Sequence, residues 1–69
     1  MSPTVAAPRL ATLVGDLAVA RPAYRALADR IRLLIADGRV VVGTRLPSER
    51  DLTTALGVSR TTVTRAYAV

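Results

Sequence analysis

The 69-residue sequence contains no cysteine and no histidine. Without cysteine, the chain can form neither a disulfide framework nor a thiolate metal site. Without histidine, it lacks the commonest general base and the commonest metal ligand. We therefore expect a protein that is not an enzyme and that binds no metal ion.

Aromatic residues are also scarce, because Tyr24 and Tyr67 are the only two in the sequence. Apolar residues make up 51% of the chain, so the core must consist of leucine, isoleucine, valine and alanine, which favours helices. A chain of about 60 residues buries only about 60% of its unfolded surface on folding. We therefore expect one small, marginally stable domain.

Negative charge is confined to the earlier part of the chain. Ten basic residues, all arginines, stand against five acidic ones, and the net charge is +5. The last acidic residue is Asp51, so residues 52–69 carry Arg60 and Arg65 without a neutralising carboxylate. Such a basic excess is typical of a protein that binds nucleic acid or another polyanion.

Long apolar runs are absent as well. No stretch of about 18 apolar residues is present, so the sequence predicts no membrane-spanning helix. Residues 10–20 resemble an export signal that ends in small residues, but Gly15 and Asp16 interrupt the apolar run and Arg9 is the only positive side chain ahead of it. We expect a soluble cytoplasmic protein.

The first half of the chain predicts a tail and two helices. Residues 1–8 contain two prolines and no periodicity, which indicates a loose N-terminal tail. Residues 9–21 predict a short leading helix, as far as residue 17, followed by a linker. The longest amphipathic pattern begins at Ala23 and stops at Gly38, which favours a left-handed helix end.

An extended arm is predicted next. Val40–Val42 is β-branched throughout, which favours an extended backbone. Gly43 and Thr44 then make a turn, and Arg45–Pro47 can form a short strand or extended arm before the next helix. Ser48 is a candidate N-cap for a helix from Glu49 to Leu56, because its hydroxyl can accept an otherwise unpaired backbone N–H.

A short turn joins this helix to the next one. Gly57 provides a left-handed helix end, and Ser59 is expected to cap a third helix that starts at Arg60. Two helices joined by a three-residue turn that contains glycine match the helix-turn-helix geometry. Both are too short to be stable alone, so the helix from Ala23 must pack beneath them.

The third helix has two different faces. Val63, Ala66 and Tyr67 share the face that must contact the core. The opposite arc carries Arg60, Thr61, Thr64, Arg65 and Ala68, with Thr62 near the N-terminal rim. Threonine is a poor choice for a merely solvated helix surface, since β-branching costs rotamer freedom there.

A helix that reads DNA explains this choice of residues. Arginine binds guanine O6 and N7, while threonine offers a hydroxyl to bases or phosphates and a methyl group to thymine. Two other interpretations remain open. In the first, the basic face belongs to a helical protein-interaction module and binds an acidic partner. In the second, residues 59–62 are an ordinary capped helix start, and Arg50 simply pairs with Asp51 or Glu49.

Two motifs carry a family resemblance. "LPSER" at residues 46–50, followed by "LGVSRTTV" at residues 56–63, resembles the winged helix-turn-helix domain of GntR-family bacterial transcription regulators. With the apolar pattern from Tyr24 onward, the resemblance covers residues 22–69. It implies a mainly all-α fold, a three-helix winged helix-turn-helix core that binds double-stranded DNA. It also implies that the full-length protein binds a two-fold operator as a homodimer.

The resemblance also implies which residues contact DNA. They are Arg50 on the second helix, and Ser59, Arg60, Thr61 and Thr62 on the recognition helix 59–69 in the major groove. Thr64 and Arg65 complete the candidate set. Many family members carry arginine at the position of Thr64, and the charge of Arg65 and its place on the helix wheel allow a phosphate contact.

The leading residues "LATLVGDL" and the following Pro22–Tyr24 are similar to the MocR subgroup. Its members attach the DNA-binding domain to a large domain resembling a pyridoxal-phosphate aminotransferase. The cofactor pyridoxal phosphate is therefore expected only in that domain, and no cofactor is expected in this chain.

The family also has a β-hairpin wing just after the third helix. Because the sequence stops at Val69, we expect a fragment of a longer regulator whose wing is missing and which binds DNA weakly, or not at all, by itself.

Overall fold

A computed structural model describes residues 3–69 and contains four α-helices and no strand within that range. The helices are α1 (Ala7–Val14), α2 (Ala23–Ala36), α3 (Glu49–Leu56) and α4 (Arg60–Ala68). This confirms the predicted all-α fold class. Within the same residues, none of the helices has both the length and the apolar character needed to span a membrane.

Local capping fixes the limits of α3 as predicted. The Ser48 hydroxyl oxygen accepts a 3.1 Å hydrogen bond from the backbone N–H of Asp51, which pairs one of the free donors of the first helical turn. Glu49 and Asp51 both lie in that turn, where negative charge interacts favourably with the helix dipole. Gly57 ends the helix in the left-handed conformation, with φ of +70°.

Each helix contributes one fully buried side chain to a common core. These residues are Leu10, Leu27, Leu52 and Val63, in chain order from α1 to α4. The helix α1 packs against α2 and α3, and α4 also packs against α2 and α3. The Cα radius of gyration is 11.0 Å, close to the value of about 11 Å for a single compact domain of this length.

The leading helix differs from its predicted place. It runs over Ala7–Val14 rather than residues 9–17, because Pro8 is accommodated in the first turn and Gly15 ends the helix with φ of +83°. Leu17, beyond the helix end, is still buried. Residues that the sequence assigns to a separate leading segment therefore belong to the same hydrophobic core.

Part of the predicted tail is bonded to the arm before α3. The backbone N–H of Arg45 donates to the carbonyl of Pro3 at 2.7 Å, and the N–H of Val5 donates to the carbonyl of Arg45 at 3.1 Å. These bonds form an isolated parallel bridge between Thr4 and Arg45. Met1 and Ser2, also in the predicted tail, lie outside the described residues.

The prediction of an extended segment at Val40–Val42 is wrong. Val40 is buried, and its N–H bonds to the Leu34 carbonyl at 3.1 Å, so the chain bends over the end of α2. A turn then brings the Thr44 N–H to 2.9 Å from the Val41 carbonyl. The strand preference of valine depends strongly on context, and here burial of Val40 outweighs it.

Candidate nucleic-acid interface

The start of α4 is held by a local cap. The Ser59 hydroxyl oxygen accepts the backbone N–H of Thr62 at 3.2 Å, and the two side-chain hydroxyls lie 2.9 Å apart. Ser59 is exposed and Thr62 is half-buried. The predicted cap is thus confirmed, and it fixes the N-terminal turn in which both residues lie.

The orientation of α4 follows from its apolar face. Val63 and Ala66 are buried, and the half-buried Tyr67 donates its hydroxyl to the Pro47 carbonyl at 2.8 Å. This bond ties the last turns of α4 to the arm before α3. The opposite arc, consisting of Arg60, Thr61, Thr64, Arg65 and Ala68, is exposed as the helix wheel predicts.

One edge of this exposed arc adjoins α3. The Thr64 hydroxyl donates a 2.6 Å hydrogen bond to Glu49 Oε1 in the first turn of α3. The face of α4 therefore has a carboxylate beside it, although residues 52–69 contain none. Sequence reasoning missed Glu49 because it treated the charges of the third helix alone, and the two residues are 15 positions apart.

The other edge of the arc adjoins the start of α2. The guanidinium carbon of Arg65 lies 4.1 Å from the centre of the Tyr24 ring, a close cation–π contact. The sequence places Tyr24 on the core face of α2, and it is half-buried against the core. Its second role, as a support for Arg65, was not predicted.

Arg50 lies on the exposed surface of α3, as the candidate set requires. The interpretation in which it simply pairs with Asp51 or Glu49 is not what the structure shows: over residues 3–69, the one ion pair is Arg32 with Asp29, at 3.4 Å. The guanidinium of Arg50 therefore forms no ion pair with a carboxylate in this range.

A groove of about 800 Å³ lies beside Arg50, between the N-terminal residues, the arm and α3. Arg45 lines the same groove and is exposed. The bridge to Thr4 holds the backbone of Arg45 in place, so the groove is lined by two arginines, Arg45 and Arg50, together with Asp51. In the sequence, the one indication that Arg45 belongs to this surface is that it directly precedes the "LPSER" motif.

The charge and donor pattern of this surface suits an anion. Arg50, Arg60 and Arg65 present guanidinium groups with five N–H donors each, and Thr61 adds an exposed hydroxyl. No group of three or more histidine, cysteine or acidic side chains within residues 3–69 is arranged to hold a metal ion. The surface can therefore bind phosphate oxygens and base edges through arginine and threonine.

Comparison with known proteins identifies two relatives. Over 46 residues, which are 67% of this chain, it is 52% identical to the mannosyl-D-glycerate transport/metabolism system repressor MngR of Escherichia coli (strain K12). Over 41 residues, 59% of this chain, it is 51% identical to the HTH-type pyridoxine biosynthesis transcriptional regulator PdxR of Corynebacterium glutamicum. The matches span only 19% and 9% of those proteins. No solved structure matches the chain.

The family comparison covers the helices that form the surface described above. Residues 23–68 match the bacterial regulatory proteins of the gntR family. This range contains α2, α3 and α4 with every candidate contact residue, and leaves α1 outside. The chain belongs to the gntR family of bacterial regulatory proteins, and residues 23–68 form the DNA-binding helix-turn-helix module of a transcription regulator.

Proposed function

We propose that the module reads a specific DNA sequence by placing α4 in the major groove. The observation that carries this proposal is the exposed arc of α4, where two arginines and two threonines lie opposite a buried apolar face. An α-helix fits the major groove, where each base pair shows a distinct donor and acceptor pattern.

The roles within α4 follow from position and free donors. Arg60 and Thr61 begin the helix and are exposed, so we assign base contacts to them. The Ser59 hydroxyl accepts the Thr62 N–H and lies 2.9 Å from the Thr62 hydroxyl, so the backbone N–H groups of Arg60 and Thr61 remain to face a phosphate. Thr64 already donates its hydroxyl to Glu49, so its methyl group and lone pairs remain for DNA.

Two arginines flank this reading surface. Arg50 projects from α3, and Arg65 lies at the α2 edge of α4. We assign both to phosphate contacts, which fix the register of the helix without reading the sequence. Each phosphate neutralised contributes about −0.9 to the slope of log affinity against log salt on B-DNA.

The finer biological assignment rests on the relatives. Both named relatives are regulators, which supports a non-enzymatic role for this chain on chromosomal DNA in the bacterial cytoplasm. A homodimer on a two-fold operator would suit the helix-turn-helix geometry. Similarity to a pyridoxine biosynthesis regulator supports the MocR subgroup, in which pyridoxal phosphate would bind outside these 69 residues. The effector stays unassigned.

A salt titration tests the function. Fluorescence anisotropy of a labelled random duplex is followed with the 69-residue chain at salt concentrations from about 50 to 200 mM. We expect measurable binding at low salt and a log–log slope of about −2 to −4, as for two to four phosphate contacts. Binding to an acidic polypeptide such as poly-glutamate, without binding to DNA, would instead support a protein-interaction module.

A further inference from the structure

The exposed arc of α4 has two structurally different edges. Thr64 at one edge bonds to the Glu49 carboxylate of α3, and Arg65 at the other edge stacks on Tyr24 of α2. Neighbouring residues of a helix point about 100° apart, so the two contacts face different sides of the groove that α4 would enter. At these two contacts, the α3 edge of the arc has a carboxylate and the α2 edge has a guanidinium.

Stacking leaves the guanidinium of Arg65 free to bind. A guanidinium that lies over a ring contacts it with its flat face, while its N–H donors point outward in the plane. Within residues 3–69, no carboxylate lies within ion-pair distance of Arg65. The contact with Tyr24 thus fixes the direction of the side chain without consuming its charge or its donors.

The surroundings of Tyr24 also favour an anionic partner. The neighbouring Arg25 and, to a smaller extent, Arg65 lower the pKa of the Tyr24 phenol below its usual value of 10.0. Arg25 is exposed in the first turn of α2, and that turn contains no acidic residue. The positive charges of Arg25 and Arg65 therefore both act on the phenol.

A side chain that is already ordered in the unbound protein loses less conformational entropy when it binds a partner. A free arginine side chain loses considerable rotamer freedom when it is held against a partner. An arginine that already rests on an aromatic ring has lost part of that freedom in the unbound protein. Tyr24 can therefore strengthen a contact that it does not itself make.

We propose that Tyr24 is a positioning residue of the DNA interface, whose ring holds Arg65 for a phosphate on the strand at the α2 edge of the groove. This inference rests on the proposed function. The inference adds that α3 and α2 serve different DNA strands. Arg50 of α3 contacts one strand, and Tyr24 of α2 supports Arg65 for its contact with the other. The ring, and not the phenol hydroxyl, is the part of Tyr24 that acts.

A double-mutant cycle tests the coupling between the two residues. Wild type, Tyr24→Phe, Tyr24→Leu, Arg65→Ala and the Tyr24→Leu/Arg65→Ala variant are titrated against one labelled duplex across a salt series, with a thermal melt of each. Tyr24→Phe keeps the ring and should bind like wild type. Tyr24→Leu and Arg65→Ala should each weaken binding about two- to fivefold.

The salt slope and the cycle separate positioning from packing. Arg65→Ala should flatten the slope by about 0.9, the value for one phosphate, and Tyr24→Leu should have no further effect once Arg65 is alanine. Equal losses from Tyr24→Leu in both backgrounds would overturn the proposal, because they would show a packing role alone. An unchanged salt slope in Arg65→Ala would overturn it as well.

Nuclear magnetic resonance gives a check that the wild-type protein alone can decide. Ring currents should shift the Arg65 side-chain protons upfield in wild type and in Tyr24→Phe, and ordinary shifts would contradict the stacking. The proposed function fails separately, if wild type shows no salt-dependent binding to duplex DNA. Salt-dependent binding with an additive cycle would defeat only the role of Tyr24.

Discussion

The Thr64 hydroxyl donates a 2.6 Å hydrogen bond to the Glu49 carboxylate and thereby links α4 to the first turn of α3. Thr64 lies between Arg60 and Arg65 on the exposed arc, so the bond places a negative charge beside a positive surface. Glu49 stabilises the start of α3 through the helix dipole. Its charge should at the same time repel a nearby phosphate.

We expect Glu49→Gln to strengthen binding to duplex DNA. The amide oxygen can still accept the Thr64 hydroxyl, so the geometry is kept while the charge is removed. Relief of about 0.5–1 kcal/mol of repulsion at high dielectric corresponds to roughly two- to fivefold tighter binding. Anisotropy titration at low salt measures the change, and a thermal melt should show a small loss of stability from the weaker dipole interaction.

Asp37→Asn is the matched control for Glu49→Gln, because it removes the same charge just after α2. It should change the affinity for DNA by less than Glu49→Gln does. An equal gain in both variants would mean that only the net charge of the chain matters. Weaker binding by Glu49→Gln would contradict the placement of this carboxylate beside the DNA surface.

We expect Leu10→Ala to destabilise the whole domain by about 2–5 kcal/mol, or to unfold it. Leu10 is fully buried in the shared core although α1 lies outside the family match. The comparison variant is Leu33→Ala, where the side chain is 61% exposed and the cost should be below about 1 kcal/mol. Urea unfolding of both variants measures this, and a Leu10→Ala variant as stable as wild type would show that α1 is not part of the fold.

We expect Thr53→Val to stabilise the domain by about 1 kcal/mol. The Thr53 hydroxyl oxygen is buried and has no hydrogen-bond partner within residues 3–69, and an unpaired buried polar group costs about 1–3 kcal/mol. Valine has the same shape without that cost. Thr54→Val is the control, because the Thr54 hydroxyl is exposed and donates to the Arg50 carbonyl at 3.2 Å. Equal thermal shifts for the two variants would contradict this account.

The two tyrosines should titrate in separate steps. Burial, and to a smaller extent the charge of Glu49, raises the pKa of Tyr67 to about 12. Arg25 and then Arg65 lower the pKa of Tyr24 below 10.0. Phenolate absorbance should therefore rise once below pH 10 and again near pH 12, and Tyr24→Phe should remove the first step. A single step near pH 10 would contradict both environments.

The raised pKa of Tyr67 also predicts a loss of stability in alkali. Since its folded pKa lies above the unfolded value of 10.0, the folded state favours the protonated phenol. That contribution is complete below about pH 10 and is lost as the pH rises toward about 12. Thermal melts in the Tyr24→Phe background isolate the effect, and Tyr67→Phe in the same background should reduce it.

The parts of the fold that sequence predicts are those with local causes. Ser48 and Ser59 cap helices through bonds to residues three positions later, and Gly57 ends α3 by its own backbone conformation. The buried face of α4, with Val63 and Ala66, follows from helical period alone. The candidate contact residues lie on the surfaces that the sequence assigns to them, and their contacts with DNA stay predictions.

The parts that sequence could not predict depend on residues far apart in the chain. Neither the bond from Thr64 to Glu49 nor the stacking of Arg65 on Tyr24 leaves a trace in local periodicity. The buried bend at Val40 shows the same limit, because tertiary packing there opposes a local strand preference. These contacts exist only in the folded protein, where the helices pack against one another.

The central claim is that α4 reads bases through Arg60, and one substitution tests it directly. Duplexes that bind well are first selected from a random pool. Arg60→Ala, wild type and the control Arg39→Ala are then titrated against a selected duplex and a random one at one salt concentration. Arg39 is an exposed arginine in the turn after α2. It lines two grooves together with residues of α1, so its substitution removes the same charge at a site distant from α4.

We predict that Arg60→Ala loses about 1–3 kcal/mol on the selected duplex and much less on the random one, so that specificity falls. Arg39→Ala should leave the ratio of the two affinities unchanged. If Arg60→Ala instead weakens both duplexes by the same factor, Arg60 contacts only the phosphate backbone and base reading by α4 is contradicted.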